Sequence, residues 1–394
     1  MTLGNIDHPQ SIAWLSKLIS FDTTSCNSNL ELISCVEQYL ASLGLEPIIL
    51  PSKREGKANL FVTIPDVRGG VQGGVVLSGH TDVVPVDGQD WQSDPFSAEV
   101  RDSRLYGRGA SDMKAYIAGA LTLLPVFLEQ PLSEPLHLAL TCDEEVGCLG
   151  AVELLEGLSA RGIRPSKCIV GEPTMMRVIS AHKSSNLYRL RVHGVSVHSS
   201  LTPHGVNAIE YAAQAISFIR SIADGFRRSG PFDPEFDIPH STASIGKISG
   251  GVAVNTVPDD CTVDFEFRTI PADDPARVVA QIREFLVEEL TPRMQEEHPT
   301  AYATLEEVAV VPGLGRANMS AAADLARRLL KSSTNDKVAY ATEGGIFQEA
   351  GIDTIVCGPG DLAQAHTANE FIELSQLQSL ETFLRDLALD MRNR

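Results

Sequence analysis

Residues 75–82 read VVLSGHTD, and residues 107–114 read GRGASDMK. The first stretch is an apolar run that predicts a buried strand, and it ends in His80 and Asp82. It lacks polar alternation, which is typical of a strand covered on both faces of a sheet. The second stretch is a glycine-rich turn that ends in Asp112 and leads into a predicted helix. Together they predict part of a metal site, if the rest of the chain supplies further ligands.

Outward from these stretches, apolar runs with strand character alternate with segments of helical periodicity. This alternation predicts an α/β sheet with its site where the strands end. Strands are predicted at 47–50, 59–64, 74–78, 135–142, 167–170 and 352–356, and helices at 11–45, 112–128, 151–158, 321–330 and 374–391.

The pattern changes between residues 183 and 309. The predicted order there is strand, helix, strand, strand, helix and strand, which is the order of a ferredoxin-like module. The α/β pattern resumes afterwards, so the module is predicted to be an insertion. We therefore expect a catalytic domain in residues 1–182 and 310–394, interrupted by an inserted domain in residues 183–309.

Length and composition narrow the classes of protein. The chain has 394 residues, of which 43% are hydrophobic, so two domains with substantial cores are expected. The formal net charge of −19 argues against nucleic-acid and anionic-membrane partners. The seven cysteines form no CxxC pair, and the start MTLGNIDHPQ does not resemble a signal peptide, so a reduced, cytoplasmic protein is expected.

The polar side chains that follow the predicted strands and turns form one candidate site, because neighbouring strand ends converge in an open sheet. Carboxylates converging there would repel one another unless cations were present, so a site for two divalent metals is predicted. Mixed imidazole and carboxylate ligands suit zinc, and cobalt or manganese would also fit. The candidate set is His80, Asp82, Asp112, Asp143, Glu144, Glu145, Glu172 and His366.

Each of these residues has a simpler interpretation when taken alone. Asp112 stands where a helix cap would be expected, and His366 lies in a polar loop where an exposed histidine is common. The complete set at the strand ends favours the metal site over these alternatives.

Seven motifs, in order along the chain, resemble the M20 metallopeptidase family and, within it, the acetylornithine deacetylase branch. They are SGHTDVVP (78–85), YGRGASDMK (106–114), TCDEEVGCLGA (141–151), GEPT (171–174), HSSLTPHGVNAIEYAA (198–213), GGVAVNTVPDDCTVDFEFR (250–268) and AHTANE (365–370). The branch assignment depends on TEGGIF (342–347) and GPGDLAQAH (358–366).

The resemblance implies a mixed-sheet catalytic domain of the zinc-exopeptidase type with an inserted ferredoxin-like α+β dimerisation domain. It also implies a set of metal ligands for two zinc ions per subunit, with cobalt as a substitute. His80 and Glu172 would hold one ion, Glu145 and His366 the other, and Asp112 would bridge both.

The same resemblance implies the chemistry of amide hydrolysis. A metal-bridging hydroxide would attack the acyl carbonyl, with Glu144 as general acid/base. Asp82 would orient the imidazole of His80. The peptide bond between Asp112 and Met113 would be cis.

Further residues are implied to bind substrate or complete the site. His198 would reach from the inserted domain into the active site of the partner in a homodimer. Arg268 would grip the substrate α-carboxylate, and Asn255 would assist it. Gly358 would shape the pocket wall, and Glu343 is a candidate to pair with a substrate ammonium. His198 and Arg268 could instead be solvated surface residues.

The expected activity is hydrolysis of N2-acetyl-L-ornithine to L-ornithine and acetate, in arginine biosynthesis. Two alternatives stay open. One is action on another substrate with the same two-metal site: N-succinyl-diaminopimelate, acetylcitrulline, another N-acyl amino acid or a dipeptide. The other is an inactive relative that binds metal or an amino acid.

Overall fold

A computed structural model describes residues 9–315, 320–334 and 336–392 of the chain, and it divides into two compact units. Their elements follow in chain order. The first part contains α1 Ser11–Ile19, α2 Leu30–Ser42, β1 Ile48–Pro51, β2 Ala58–Ile64, β3 Val75–His80, β4 Glu99–Arg101, β5 Arg104–Tyr106, α3 Lys114–Leu128, β6 Leu136–Thr141, α4 Leu149–Ala160, β7 Lys167–Pro173 and β8 Ile179–His182.

The remaining elements complete both units. The middle part contains β9 Ser185–His193, a 3-10 segment Ser199–His204, α5 Ala208–Ser229, β10 Thr242–Gly250, β11 Asp260–Arg268, α6 Pro275–Glu284, a π-helical segment Phe285–Leu290, α7 Thr291–Glu297 and β12 Tyr302–Val311. The last part contains α8 Ala321–Leu330, β13 Asp336–Val338, α9 Gly344–Glu349, β14 Asp353–Gly358, a 3-10 turn Leu362–Gln364, β15 Phe371–Glu373 and α10 Leu374–Arg392.

The unit boundaries differ by a few residues from the predicted domain boundaries. Within the described residues, the first unit falls in Met1–Ser180, Ala317–Asp336 and Thr342–Arg394, and the second in Ala181–Arg316 and Lys337–Ala341. The predicted boundary at 309/310 falls inside β12, which stays paired with β9 as far as the Val311 and Ser185 partners. The pairing of β12 with β9 therefore extends past the domain boundary that the sequence pattern predicted.

An eight-stranded sheet runs in the order β1-β2-β6-β3-β7-β14-β8-β13. Its central strands β6, β3, β7 and β14 are parallel, and β1 and β2 add antiparallel pairs at one side. All six residues of β3 are buried, as predicted for a strand covered on both faces. Because β3 and β7 run parallel, the side chains at their carboxyl ends lie at the same edge of the sheet.

Several local predictions for the first unit need correction. The single helical stretch at 11–45 is two helices, because the Asp22 carboxylate accepts hydrogen bonds from Thr24 and Asn27 and forms a turn between them. The small sheet β15-β5-β4 was not predicted. Each of its strands has three residues, which is too short for a readable hydrophobic period.

The second unit contains the four-stranded antiparallel sheet β10-β11-β9-β12 with the predicted β-α-β-β-α-β order. Along β11, Cys261, Val263, Phe265 and Phe267 are buried, and the residues between them are half-buried. This alternation is expected of a sheet that packs helices on one face only. The second helix of this module begins at Pro275 in α6 and continues through the π-helical segment and α7 to Glu297.

All seven cysteines are free thiols. In the described ranges, the helices include none with the length and apolar character that a membrane crossing requires.

Candidate metal centre

The first group of potential ligands lies at the carboxyl edge of the eight-stranded sheet. His80 is the last residue of β3, Glu172 belongs to β7, and Asp112 lies in the turn before α3. The Nε2 atom of His80 is 3.1 Å from Oδ1 of Asp112 and 3.7 Å from Oε1 of Glu172. All three residues are buried, and their potential ligand atoms lie within 4.8 Å of one another.

The second group shares Asp112 with the first. The Nε2 atom of His366 is 3.0 Å from Oδ2 of Asp112 and 3.1 Å from Oε1 of Glu145. These three ligand atoms also lie within 4.8 Å of one another. Asp112 thus directs one carboxylate oxygen to each histidine. Two groups of one imidazole and two carboxylates, joined by a common carboxylate, fit two divalent cations such as zinc.

Asp112 does not cap the helix that follows it. Helix α3 begins at Lys114, and its N-cap position is Met113, which makes no side-chain capping hydrogen bond. Met113 has a φ of 69°, and the cis peptide bond in the described residues is Gly230-Pro231, so the expected cis bond after Asp112 is not found.

The crowded carboxylates at this edge of the sheet favour the binding of positive charge, as the pKa shifts of the neighbouring groups indicate. Burial, followed by the neighbouring carboxylates, raises the pKa of Glu172 well above its ordinary value and also raises that of Glu145. Hydrogen bonds to Asp112 and Glu145 raise the pKa of His366 to about 10. The carboxylates therefore hold His366 in its protonated form. A divalent cation would supply the same compensation, which is consistent with a metal site.

Glu144 and Glu145 turn away from each other, although they are adjacent. The carboxylate of Glu145 faces His366, and that of Glu144 accepts a hydrogen bond from the Cys148 thiol at 3.3 Å. Burial, helped by the charge of Glu145 and opposed by that of His80, raises the pKa of Glu144 to about 8. A carboxylate with a raised pKa near the candidate metal ligands is suited to accept and return a proton near neutral pH.

Asp82 occupies the expected place, but its carboxylate has different partners. The Nδ1 atom of His80 hydrogen-bonds the backbone oxygen of Asp82 at 2.9 Å and lies 3.7 Å from its Oδ1. The carboxylate instead accepts the backbone N–H groups of Glu144 at 3.0 Å and Glu145 at 3.3 Å, and the Ser25 hydroxyl at 2.8 Å. Asp82 therefore orients the imidazole through its main chain and the Glu144 turn through its side chain.

Glu343 is a buried carboxylate. It is 1% exposed, and its two carboxylate oxygens accept hydrogen bonds from the hydroxyl groups of Ser78 at 2.5 Å and Thr141 at 2.8 Å. Burial raises its pKa. The sequence did not show that two strand hydroxyls enclose this carboxylate, and its pairing with a substrate ammonium stays a prediction.

The other predicted substrate-binding residues are divided between the units. Gly358, at the end of β14, packs so closely on β7 that an added Cβ would lie 1.8 Å from the oxygen of Gly171. Three residues belong to the second unit. There, Arg268 pairs with Glu266 at 2.7 Å, the exposed His198 contacts the Ser200 hydroxyl at 2.8 Å, and the Asn255 carbonyl accepts the Ser199 N–H.

Sequence reasoning missed a buried network beside the second ligand group. Arg108 and Glu370 are 1% and 0% exposed and form an ion pair at 2.8 Å. Both residues lie within the motifs around Asp112 and His366. A charged residue inside a glycine-rich turn was the available signal, but its partner is 262 residues away along the chain.

A mixed sheet that brings two groups of histidine and carboxylate side chains together is an arrangement found in metal-dependent hydrolases. Residues 76–390 match the model of peptidase family M20/M25/M40. The chain belongs to this family and is therefore an enzyme of the metallopeptidase and amidohydrolase class.

The names of individual relatives describe a more specific activity than the family does. The chain is 32% identical over 386 residues to a protein of Pasteurella multocida named acetylornithine deacetylase, covering 96% of this chain and 97% of that protein. It is 32% identical over 346 residues to a Shigella sonnei protein of the same name, covering 88% and 87%.

Solved structures agree on the fold. An M20 family metallo-carboxypeptidase of Sulfolobus solfataricus superposes with a TM-score of 0.75 at 17% identity, covering 97% of this chain and 99% of that one. A dinuclear metal binding peptidase of the same family from Bacillus subtilis gives a TM-score of 0.65 at 16% identity, covering 98% of each chain. At these identities the likeness shows the fold alone.

Proposed function

We propose that this chain hydrolyses N2-acetyl-L-ornithine to L-ornithine and acetate, as a step of arginine biosynthesis in the cytoplasm. The observation that carries the hydrolytic mechanism is the sharing of Asp112 between two ligand groups. The support for the substrate is 31–32% identity, over most of the chain, to four curated proteins named acetylornithine deacetylase.

The five grouped side chains would hold two zinc ions, for which cobalt could substitute. His80 and Glu172 would bind one ion, Glu145 and His366 the other, and Asp112 both. When bound, the ions would supply Lewis acidity that lowers the pKa of a water molecule and polarises the acyl carbonyl.

Glu144 would carry the proton through the reaction. Its carboxylate accepts the proton of the attacking water and then donates it to the nitrogen of the leaving amine. The Cys148 hydrogen bond and the Asp82 contact to the Glu144 main chain hold the carboxylate in place for both transfers. The α-carboxylate of the substrate would be gripped by the Arg268 guanidinium, helped by Asn255.

The test replaces Glu144 by alanine. We expect turnover to fall by about 10²–10⁴-fold, with two metal equivalents retained, because the acid/base is lost and the ligands are kept. Glu156→Ala is the matched control, since Glu156 is exposed on the following helix α4. Activity that survived in Glu144→Ala would reject the assigned base, and a wild-type protein without any hydrolase activity would favour an inactive binding relative.

A substrate panel tests the specificity. It compares kcat/KM for N2-acetyl-L-ornithine, N-succinyl-diaminopimelate, acetylcitrulline and a dipeptide. We expect the first to be preferred. A preference of about tenfold or more for another member would be a difference of about 1.4 kcal/mol in transition-state binding and would overturn the substrate.

We further propose that the second unit forms a homodimer and that His198 stabilises the oxyanion in the partner's active site. Mixing His198→Ala subunits with Glu144→Ala subunits would leave one intact site in each heterodimer. A 1:1 mixture should then regain about a quarter of wild-type activity, because about half the dimers are mixed. An inactive mixture of proven heterodimers would reject the role in trans.

A further inference from the structure

The turn that carries Asp112 is clamped by a buried ion pair. Besides its bond to Arg108, the Glu370 carboxylate accepts hydrogen bonds from three backbone N–H groups, those of Gly109 at 2.9 Å, Ser111 at 2.8 Å and Asp112 at 2.9 Å. A buried carboxylate with four donors, one of them a guanidinium, resists displacement because each lost bond would leave a buried charge or amide unpaired.

Gln89 connects this clamp to the loop of His366. Its Oε1 atom accepts from Nη2 of Arg108 at 2.5 Å and from Nε1 of Trp91 at 3.0 Å. Its Nε2 group donates to the backbone oxygen of His366 at 2.9 Å. The Gln89 amide therefore connects the Arg108 and Glu370 ion pair to the main chain of His366, which is a proposed metal ligand.

The main chain of His366 needs such an anchor. It has a φ of 62°, a left-handed conformation that is unfavourable for a residue with a side chain. The residue is in a loop, and its side chain is 52% exposed. By contrast, His80 and Glu172 are in strands, and their side chains are 1% and 8% exposed.

We propose that Gln89 is a positioning residue. The Arg108 and Glu370 pair anchors Gln89, and Gln89 in turn sets the geometry of His366 and thereby the affinity of the second metal subsite. This inference rests on the proposed two-metal function. Gln89 lies outside both groups of potential ligands, yet it would have a selective effect on one of the two subsites.

Gln89→Glu isolates the contact. A carboxylate keeps an acceptor for Arg108 and Trp91, but it loses the donor to the His366 carbonyl and repels that oxygen. Gln92→Glu is the matched control. It introduces the same charge three residues later, where the side chain is exposed and the backbone N–H makes the contact to Asn369.

The measurement is Zn²⁺ binding to the metal-depleted full-length protein by equilibrium dialysis, with the visible spectrum of bound Co²⁺ as a second readout. We expect Gln89→Glu to bind one ion as the wild type does and the other about 10–100-fold more weakly, as is typical of losing an outer hydrogen bond to a metal ligand. Gln92→Glu should bind both ions with wild-type affinities.

His366→Ala identifies the affected subsite. If Gln89 acts through His366, then adding Gln89→Glu to His366→Ala should change metal binding by less than about twofold. Full additivity, equal weakening of both ions, or two ions bound normally in Gln89→Glu would each overturn the inference. A wild-type protein that bound fewer than two ions would instead reject the proposed function, so the two failures are distinguishable.

Discussion

The two large sheets of this protein place their charged side chains in opposite ways. In the eight-stranded sheet, His80 and Glu172 are buried in strands, close to further carboxylates. In the four-stranded sheet, charged residues alternate along the half-exposed face and pair across strands, as Arg189 and Asp264 do at 2.6 Å.

This difference leads us to expect that the crowded buried charges serve chemistry and that the paired surface charges serve solubility. Crowding buried carboxylates is unfavourable, so stability does not explain the edge of the first sheet. Pairs on the open face of the second sheet are solvated and contribute little. The side chains whose burial costs free energy are the ones to test for chemistry, and the paired surface residues serve as their controls.

The largest expected effect is on Asp112. Asp112→Ala removes the carboxylate that both ligand groups share, so we expect metal binding and activity to fall by more than the roughly 100-fold typical of losing an outer-shell partner. Asp264→Ala, an aspartate on the other sheet, should retain both metals and full activity. Metal content and kcat/KM compare the two variants. An Asp112→Ala protein that kept its metals and its activity would contradict the contrast between the two sheets.

An intermediate effect is expected on stability. In the metal-free protein, burial and neighbouring charges set the pKa of Glu144 at about 8 against an ordinary value of 4.5, and raise those of Glu145 and Glu172. At these three carboxyl groups the folded state then holds more protons than the unfolded state, so their contribution to stability falls as the pH rises through this window. His366, with a pKa of about 10, acts in the same direction.

Thermal unfolding of the metal-free protein should therefore begin at a lower temperature at pH 8 than at pH 5.5. Saturating Zn²⁺ should flatten this dependence, because the cations replace the protons at the ligands. A metal-free protein that became more stable toward pH 8 would contradict the assigned charges.

The smallest effect is expected for Arg189→Ala. The guanidinium makes a half-exposed ion pair across the strands, which solvent weakens, so the thermal midpoint and the activity should be close to those of the wild type. The comparator is Phe265→Ala, a 1% exposed position on the opposite face of β11, which should cost about 3–5 kcal/mol. Similar losses in the two variants would erase the distinction between the faces of this sheet.

Much of the architecture could be predicted, because it depends on local patterns. The unbroken apolar run of β3 and the strict alternation of β11 report burial on two faces and on one face, respectively. The α/β fold and the family are confirmed. The five predicted metal ligands lie in two groups that share Asp112, and their role as ligands stays a prediction.

The contacts that the sequence did not indicate share a physical cause. The Asp82 carboxylate binds the turn of Glu144 and Glu145, some 62 residues away, and Glu343 is enclosed by hydroxyls on two strands that are far from it in the chain. A residue type at a strand end indicates which chemistry is available. It does not indicate which donors the folded chain will bring to that side chain.

The class of fold and the residue types at the strand ends follow from the amino-acid sequence, because hydrophobic periodicity and motif spacing are properties of neighbouring residues. How these side chains are held depends on the tertiary structure. It placed Gln89 between Arg108 and His366, and Glu370 beneath the Asp112 turn. Hydrogen bonds reach only about 3 Å, so their partners are chosen by the packing of distant segments and not by their order in the chain.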